Sequence, residues 1–238
     1  MHLFTEPQAG HVAHTSKSLL LRTDPQMQDW VGMTVEDILP GHAKSVDAIN
    51  KWHASEEPHE CGFTLANGTR DFLFAELAKN PRRHKRFGGA MASLTGGEGY
   101  EPAYLIKGYP WAEIGKGTVV DVGGSHGFIS VALAESFPDL SFVVQDLPDT
   151  VRAGEGKIPA HLRDRVRLMP HDFLTPQPVQ GADVYLFRWI LHNWSDKYGL
   201  QILRQLIPAL KPGARIVIND YCLPEPNSVP LWDEKILR

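Results

Sequence analysis

Cysteine is scarce in this chain of 238 residues; only Cys61 and Cys222 occur, far apart. Two distant thiols exclude a disulfide scaffold and fit free thiols in a reducing compartment. No apolar run approaches the length of a membrane span. The opening MHLFTEPQAGHVAHT lacks a charged region followed by an apolar one, so it does not read as a secretory signal. A dominant sign of charge is missing too. The 24 Lys and Arg against 28 Asp and Glu leave a net charge of -4, with no basic run suited to nucleic acid. The densest basic cluster, Arg82, Arg83, His84, Lys85 and Arg86, reads as a solvated helix face rather than a phosphate site. A G-x-S-x-G elbow, an H-E-x-x-H helix and a P-loop are all absent. His11 and His14 have a spacing known from metal sites, but no Cys or carboxylate cluster completes a shell. An exposed polar strand or turn is the plainer reading, and His59 with Cys61 fares no better. What survives is a cytoplasmic, metal-free protein with no nucleic-acid or membrane partner.

The 42% hydrophobic content suffices for one good core and a smaller appendage. Its centre is the stretch TVVDVGGSHGF at 118–128. An apolar strand over 118–121 ends in an acid, breaks into Gly123, Gly124 and Gly127, and restarts as a helix. That is the opening turn of a nucleotide-type α/β domain. Glycines allow tight backbone angles and let a ligand lie against main-chain N–H groups. A dinucleotide site expects G-x-G-x-x-G; here Asp121 stands just before the glycines. A pyrophosphate has no use for that carboxylate, whereas a ligand carrying an ammonium and a sulfonium does. The expected cofactor is therefore S-adenosyl-L-methionine rather than NAD.

Residues 1–16 are polar and read as irregular. From Thr15 the text turns helical, with Ser16 or Ser18 as cap, and 29–39 continues it until Pro40-Gly41 stops it. Residues 43–52 predict another helix. The segment 56–71 reads as loop, with Asn67-Gly68 as a turn. Helices follow over 72–78 and 82–94, broken at Asn80-Pro81. Gly96, Gly97 and Gly99 suggest a hinge between a helical N-terminal part, 1–99, and an α/β domain, 100–238. The helical half has apolar faces that need a partner, either the second half or another copy. Met91, Phe87, Tyr100 and Tyr104 are candidates for a pocket wall, though ordinary packing explains each as well.

Beyond 118 the pattern alternates. Strands are expected over 118–121, 141–145, 166–169, 183–188 and 215–219, with helices over 128–136, 149–155 and about 196–210. The strands are too apolar to have a wet face, so a parallel sheet covered on both sides follows. Ligands bind such sheets at the carboxyl ends of the strands. There lie Asp121, Gly123, Gly124, Asp146, Asp172, the run from Arg188 to His192, and Asp220. Asp146 follows the glycine turn by about 20 residues, the place of an acid that grips ribose hydroxyls. Asp172 suits an adenine amino group with Phe173 stacking on the ring, although an acid there is also a common helix cap. His192 is the one candidate base in this cleft; its ordinary pKa of about 6.5 suits proton removal near neutrality.

LFRWILHNWSD at 186–196, with DVGGSHG, QDLPDTV and HDF, resembles the cation-independent small-molecule O-methyltransferases, the plant caffeate/flavonoid type and their fungal secondary-metabolite relatives. The resemblance covers nearly the whole chain. It implies a Rossmann-like class I methyltransferase sheet and methyl transfer from S-adenosylmethionine to a hydroxyl, phenolic by expectation, on a small aromatic or polyketide-like metabolite. On the matching positions it implies His192 as proton acceptor. Asp146 and Leu147 would meet the cofactor ribose, Asp172 and Phe173 the adenine. Gly123 and Gly124 would form the loop, and Arg188 would lie near the cofactor. It also implies a homodimer supported by the N-terminal part, and no metal. Trp189, Met91 and Asn193 are the expected substrate contacts.

Departures from the family pattern are specific. Ser125 stands where a third glycine is common, and Asn193 where an Asp is frequent. Relatives extend before HTSKSLL and beyond the fifth strand, so the chain reads as truncated at both ends, with an exposed sheet edge. The late acid that orients the family's histidine has no evident counterpart, Glu225, Asp233 and Glu234 being poor substitutes by position. Open alternatives are an inactive cofactor-binding fragment, a same-fold enzyme of non-methylating chemistry, and an NAD-type oxidoreductase.

Overall fold

The computed structural model describes residues 3–95 and 100–237. The chain divides into two compact units, Met1–Glu101 and Pro102–Arg238. The glycine cluster read as a hinge, Gly96, Gly97 and Gly99, lies outside the described residues.

The first unit opens with an antiparallel hairpin, β1 (Phe4–Gln8) and β2 (His11–His14), not with irregular chain. Gly10, at φ +79°, makes the turn that the polar composition concealed. Seven α-helices follow among the described residues: α1 (Ser16–Thr23), α2 (Pro25–Gly32), α3 (Leu39–His42), α4 (Ser45–Trp52), α5 (Gly62–Asn67), α6 (Leu73–Ala78) and α7 (Pro81–Thr95). Thr15, rather than Ser16 or Ser18, caps α1, in a box with Ser18. Pro40-Gly41 does not end the helical run. A π-helical segment, Met33–Ile38, precedes α3, and Pro40 sits in its first turn, where a missing N–H costs little. Part of 56–71, read as loop, is α5. Its start is tied by Thr64, whose hydroxyl donates to the carbonyl of His59 at 2.6 Å, and Gly68 closes it at φ +61°.

The basic cluster on α7 is not a solvated face throughout. Arg86 is buried and Arg83 largely so, because both reach the buried Asp37 on the π-helical segment. Arg83 Nε donates to Asp37 Oδ1 at 2.7 Å, and Arg86 Nη2 to Asp37 Oδ2 at 2.7 Å; Arg86 also pairs with Glu36. Two glycines let the helices close on this pair. A Cβ on Gly89 would fall 2.0 Å from Asp29 Oδ2, and one on Gly32 would fall 2.9 Å from Arg86 Cδ.

The second unit carries α8 (Pro102–Gly108) and then the sheet strands β3 (Thr118–Val122), β4 (Ser141–Asp146), β5 (Val166–Pro170), β6 (Val184–Arg188) and β7 (Arg215–Asn219). Between them run α9 (Phe128–Ser136), α10 (Pro148–Gly154) and α11 (Asp196–Leu206), and α12 (Leu231–Leu237) follows. All sheet pairs are parallel, in the order β5-β4-β3-β6-β7. The fold is α/β, Rossmann-like. The strand order reverses between β3 and β6, and the crevice at such a switch point takes ligands.

Period-2 alternation sorts the strand side chains. Val119, Phe142, Val144, Val184 and Leu186 pack with Ile129, Leu133 and Ala134 of α9. Val120, Val122, Val143, Tyr185 and Phe187 pack with Ile202 and Leu206 of α11. Each fully buried Leu or Phe contributes roughly 1.5–3 kcal/mol. The expectation that no strand has a wet face fails at the edge. β7 pairs only with β6 among the described residues, and Ile216 and Ile218 are exposed.

Removing Asp37 leaves two largely buried guanidinium groups without their shared carboxylate. Asp37→Ala is expected to destabilise the first unit by about 3–5 kcal/mol, read as a lowered urea midpoint. An unchanged midpoint would show the cluster to be dispensable.

Candidate functional site

The carboxyl ends of the five strands bring most of the sequence-predicted residues to one edge. The glycine loop follows β3. Gly123, Ser125 and Gly127 all have positive φ, at +74°, +53° and +81°. Ser125 therefore holds a left-handed conformation for which glycine is the default, and this costs about 1–2 kcal/mol. That is why a glycine is common at this position.

The positive φ values of Gly123 and Gly127 meet the expected need for tight backbone angles, and the packing adds a second reason for the glycines. A Cβ on Gly123 would meet Ile190 Cδ1 at 2.5 Å, and one on Gly124 would meet Asp121 Cγ at 2.5 Å. The missing side chains make room for the protein's own neighbours. Two of the loop's N–H groups are committed as well: Gly124 donates to the carbonyl of Gln145 at 3.0 Å, and Ser125 to Asp146 Oδ2 at 2.9 Å. Ile190 passed unnoticed in the sequence because its distance from the glycines along the chain hides the contact.

Asp121 lies on the α9 side of β3, fully buried beneath the loop. The Ser130 hydroxyl donates to its Oδ2 at 2.7 Å. Burial pushes its pKa up to about 6, against the Ser130 hydrogen bond and the nearby Arg188. At the end of β4, Asp146 is half-buried and accepts from Ser125 and, through Oδ1, from Leu147 N–H at 2.8 Å. Each oxygen retains a second lone pair, so a diol can still be received. Leu147 is exposed beside it. Asp172 is exposed and caps its own turn, accepting from Leu174 N–H at 2.9 Å. Phe173 is half-buried, edge-on to Trp194 at 5.7 Å and beside Gly123. A reciprocal amide pair, Gln145 with Gln177, both bonds 2.8 Å, ties the loop bearing Asp172 and Phe173 to β4.

At the end of β6, Arg188 is half-buried and its Nε donates to Asn219 Oδ1 at 3.0 Å. Burial holds it below the usual arginine range, with Asp121 and Tyr221 acting against the shift. Its guanidinium lies 4.2 Å over the Trp189 ring. Trp189 has φ +56°, a strained angle for a bulky residue, fixed by its N–H donating to the Asn219 carbonyl at 3.0 Å. Asn193 is exposed in the short turn that holds His192. Met91 sits on α7 of the first unit, half-buried.

His192 has the orienting acid that position along the chain failed to reveal. Asp220 Oδ1 accepts from Nδ1 at 2.7 Å, and Asp220 Oδ2 from the His192 backbone N–H at 3.3 Å. The partner is not Glu225, Asp233 or Glu234. The signal was present: Asp220 directly follows β7, and β7 lies beside β6 in the sheet. With a carboxylate on Nδ1, that nitrogen carries the proton and Nε2 is left as an acceptor. The His192 side chain is 44% exposed and that of Asp220 13%. Among the described residues no group of three or more metal-ligating side chains exists, and no helix is long and apolar enough to cross a membrane.

Asp121 sets a pH dependence. Its folded pKa of about 6 exceeds the unfolded value of about 3.9, so between these values the folded state keeps a proton that the unfolded state has lost. Stability from this group is greatest below pH ~4, falls as pH rises to ~6, and then levels. Asp121→Asn removes that slope. Relative to wild type, the variant is expected to gain up to about 3 kcal/mol between pH 4 and pH 7, measured by urea unfolding at several pH values. A constant difference would refute it.

Similarity to known proteins agrees with this geometry. Chlorophenol O-methyltransferase of Trichoderma longibrachiatum is 46% identical across all of this chain and 52% of its own length. The chain thus spans about half of that relative. Among solved structures, OxaC in complex with SAH and oxaline has a TM-score of 0.77 at 28% identity, covering 95% of this chain and 59% of OxaC. A pericyclic reaction enzyme has a TM-score of 0.71 at 28% identity, covering 94% and 58%. The family model of the O-methyltransferase domain matches residues 48–235. That match spans most of the sequence, and the chain belongs to the O-methyltransferase domain family.

Proposed function

We propose that the chain transfers a methyl group from S-adenosylmethionine to a hydroxyl, phenolic in class, of a small aromatic metabolite. The observation that carries this reading is the His192–Asp220 pair at 2.7 Å, on the same sheet edge as the glycine loop and Asp146. The residues present fit the cofactor. Asp146 has acceptor capacity for a ribose diol, with Leu147 beside it, Phe173 offers apolar surface for an adenine, and Asp172 offers an acceptor for its amino group. A ligand cation above the loop would offset the burial that pushes Asp121 up. When bound, the cofactor supplies a methyl group on an electron-poor sulfonium. The chain's own part is to position the acceptor oxygen and move a proton. His192 Nε2 takes the hydroxyl proton, and Asp220 holds the ring and steadies the imidazolium that results. A phenol of pKa near 10 becomes a far stronger nucleophile once deprotonated. Arg188 and the glycine loop form the floor, with Trp189 and Asn193 as substrate contacts. The first unit, with Val31, Val35, Val46 and Ile49 exposed, supports a homodimer in this reading. The likeness to a pericyclic reaction enzyme favours one second reading: the same fold and cofactor with chemistry that adds no methyl.

Calorimetry is expected to show S-adenosylhomocysteine (SAH) binding one-to-one to the wild-type chain; silence with SAH but heat with NADH would point to a different cofactor. With a chlorophenol as acceptor, product mass should rise by one methyl, and a product of unchanged mass would favour the second reading. His192→Ala should lower turnover by roughly 10²–10⁴-fold with SAH affinity intact. Asp220→Asn should lower it less, and should shift the pH profile because the ring loses its fixed tautomer. Full turnover in His192→Ala would remove the base assignment.

A further inference from the structure

The two residues after β7 do more than carry Asp220. Tyr221 N–H donates to Asp220 Oδ1 at 3.0 Å, the same oxygen that takes His192 Nδ1. The backbone of Tyr221 is thereby fixed relative to the imidazole. Its ring lies nearly parallel to that of Trp189, with centroids 6.3 Å apart and an interplanar angle of 11°. Arg188 lies over Trp189, 4.2 Å from the ring centre. The aromatic pair is thereby tied to the strand ends that carry Arg188 and Asp220. Asn219 holds the backbone of Trp189 and the side chain of Arg188, so the frame behind the rings is rigid. Tyr221 itself is 48% exposed, so its ring is not filling a core. Strained backbone held by several bonds beside a reactive group is characteristic of functional sites.

We propose that Tyr221 is a specificity-determining residue of the methyl transfer proposed above. Its ring, stacked with Trp189, presents a flat face on which the acceptor's aromatic ring stacks, so that the acceptor hydroxyl faces His192. Two amphipathic aromatics in near-parallel planes suit offset stacking with a third planar ring, and a saturated ring gains nothing comparable. The ring of Tyr221, not its hydroxyl, carries the selection. The inference rests on the methyl-transfer reading for its acceptor class, and its test separates the two.

The test reads binding and turnover independently on the full chain. Calorimetry measures 4-chlorophenol, with cyclohexanol as the non-aromatic control, binding to the SAH-loaded protein; steady-state methylation gives kcat and KM. Tyr221→Leu is expected to raise the 4-chlorophenol Kd and KM about tenfold, with kcat changed by less than about threefold and SAH affinity unchanged. Cyclohexanol should bind weakly to both forms. Tyr221→Phe should behave as wild type. Should Tyr221→Leu fail to fold, Tyr221→His, planar but smaller, should give an intermediate rise in Kd. Unchanged phenol affinity in the Leu or His variant overturns the stacking face, as does a Phe variant as impaired as Leu, or a wild-type chain that binds SAH but no 4-chlorophenol. Phenol binding that depends on position 221 without methyl transfer leaves the stacking face in place and refutes the methyl-transfer reading. Methyl transfer indifferent to position 221 does the reverse.

Discussion

A parallel sheet ends all its strands on one edge, and the loops leaving that edge carry backbone N–H groups that need partners. In this chain carboxylates supply them. Asp146 takes two, from Ser125 and Leu147; Asp172 takes one, from Leu174; Asp220 takes two, from His192 and Tyr221, besides the His192 ring. Each such hydrogen bond contributes about 1 kcal/mol to holding its turn, so these acids shape the loops before they are anything else. The site arises because the same oxygens keep spare lone pairs or hold a titratable ring. Shape and chemistry share one set of side chains.

Much of the second unit was legible in the sequence because burial leaves periodic marks. Strands buried on both faces read as short apolar runs, and the glycine turn and the acids at strand ends fell where an α/β sheet puts them. Within the first unit, local signals misled. A hairpin of polar residues was hidden because both of its strands are largely exposed and show no alternation. Pro40 was read as a helix stop, yet the π-helical segment before it places it in a first turn. The basic residues of α7 looked solvated because their partner, Asp37, lies more than forty residues away along the chain.

The candidate site was legible in its parts but not in its pairings. His192 and the strand-end acids could be named from pattern, whereas the bond between His192 and Asp220 depends on β7 lying beside β6. The glycines were found for an incomplete reason. Sequence logic assigned their bare backbones to a ligand, while Ile190 and Asp121 occupy the space a Cβ would need. Such close approaches between distant residues leave no periodic trace.

The π-helical segment Met33–Ile38 has a consequence for how this chain tolerates insertion and deletion. A widened turn holds an additional residue without breaking the helical path. Each residue of an α-helix advances about 100° around the axis. Deleting one residue in a regular stretch of helix would swing one flank against the other by about that angle. Deleting a residue of this segment other than Asp37 would instead let the widened turn tighten to an ordinary α-helical one while its flanks keep their phase. The irregular turn is slack in the helix run: length can change there with the least disturbance to the face that Arg83 and Arg86 meet.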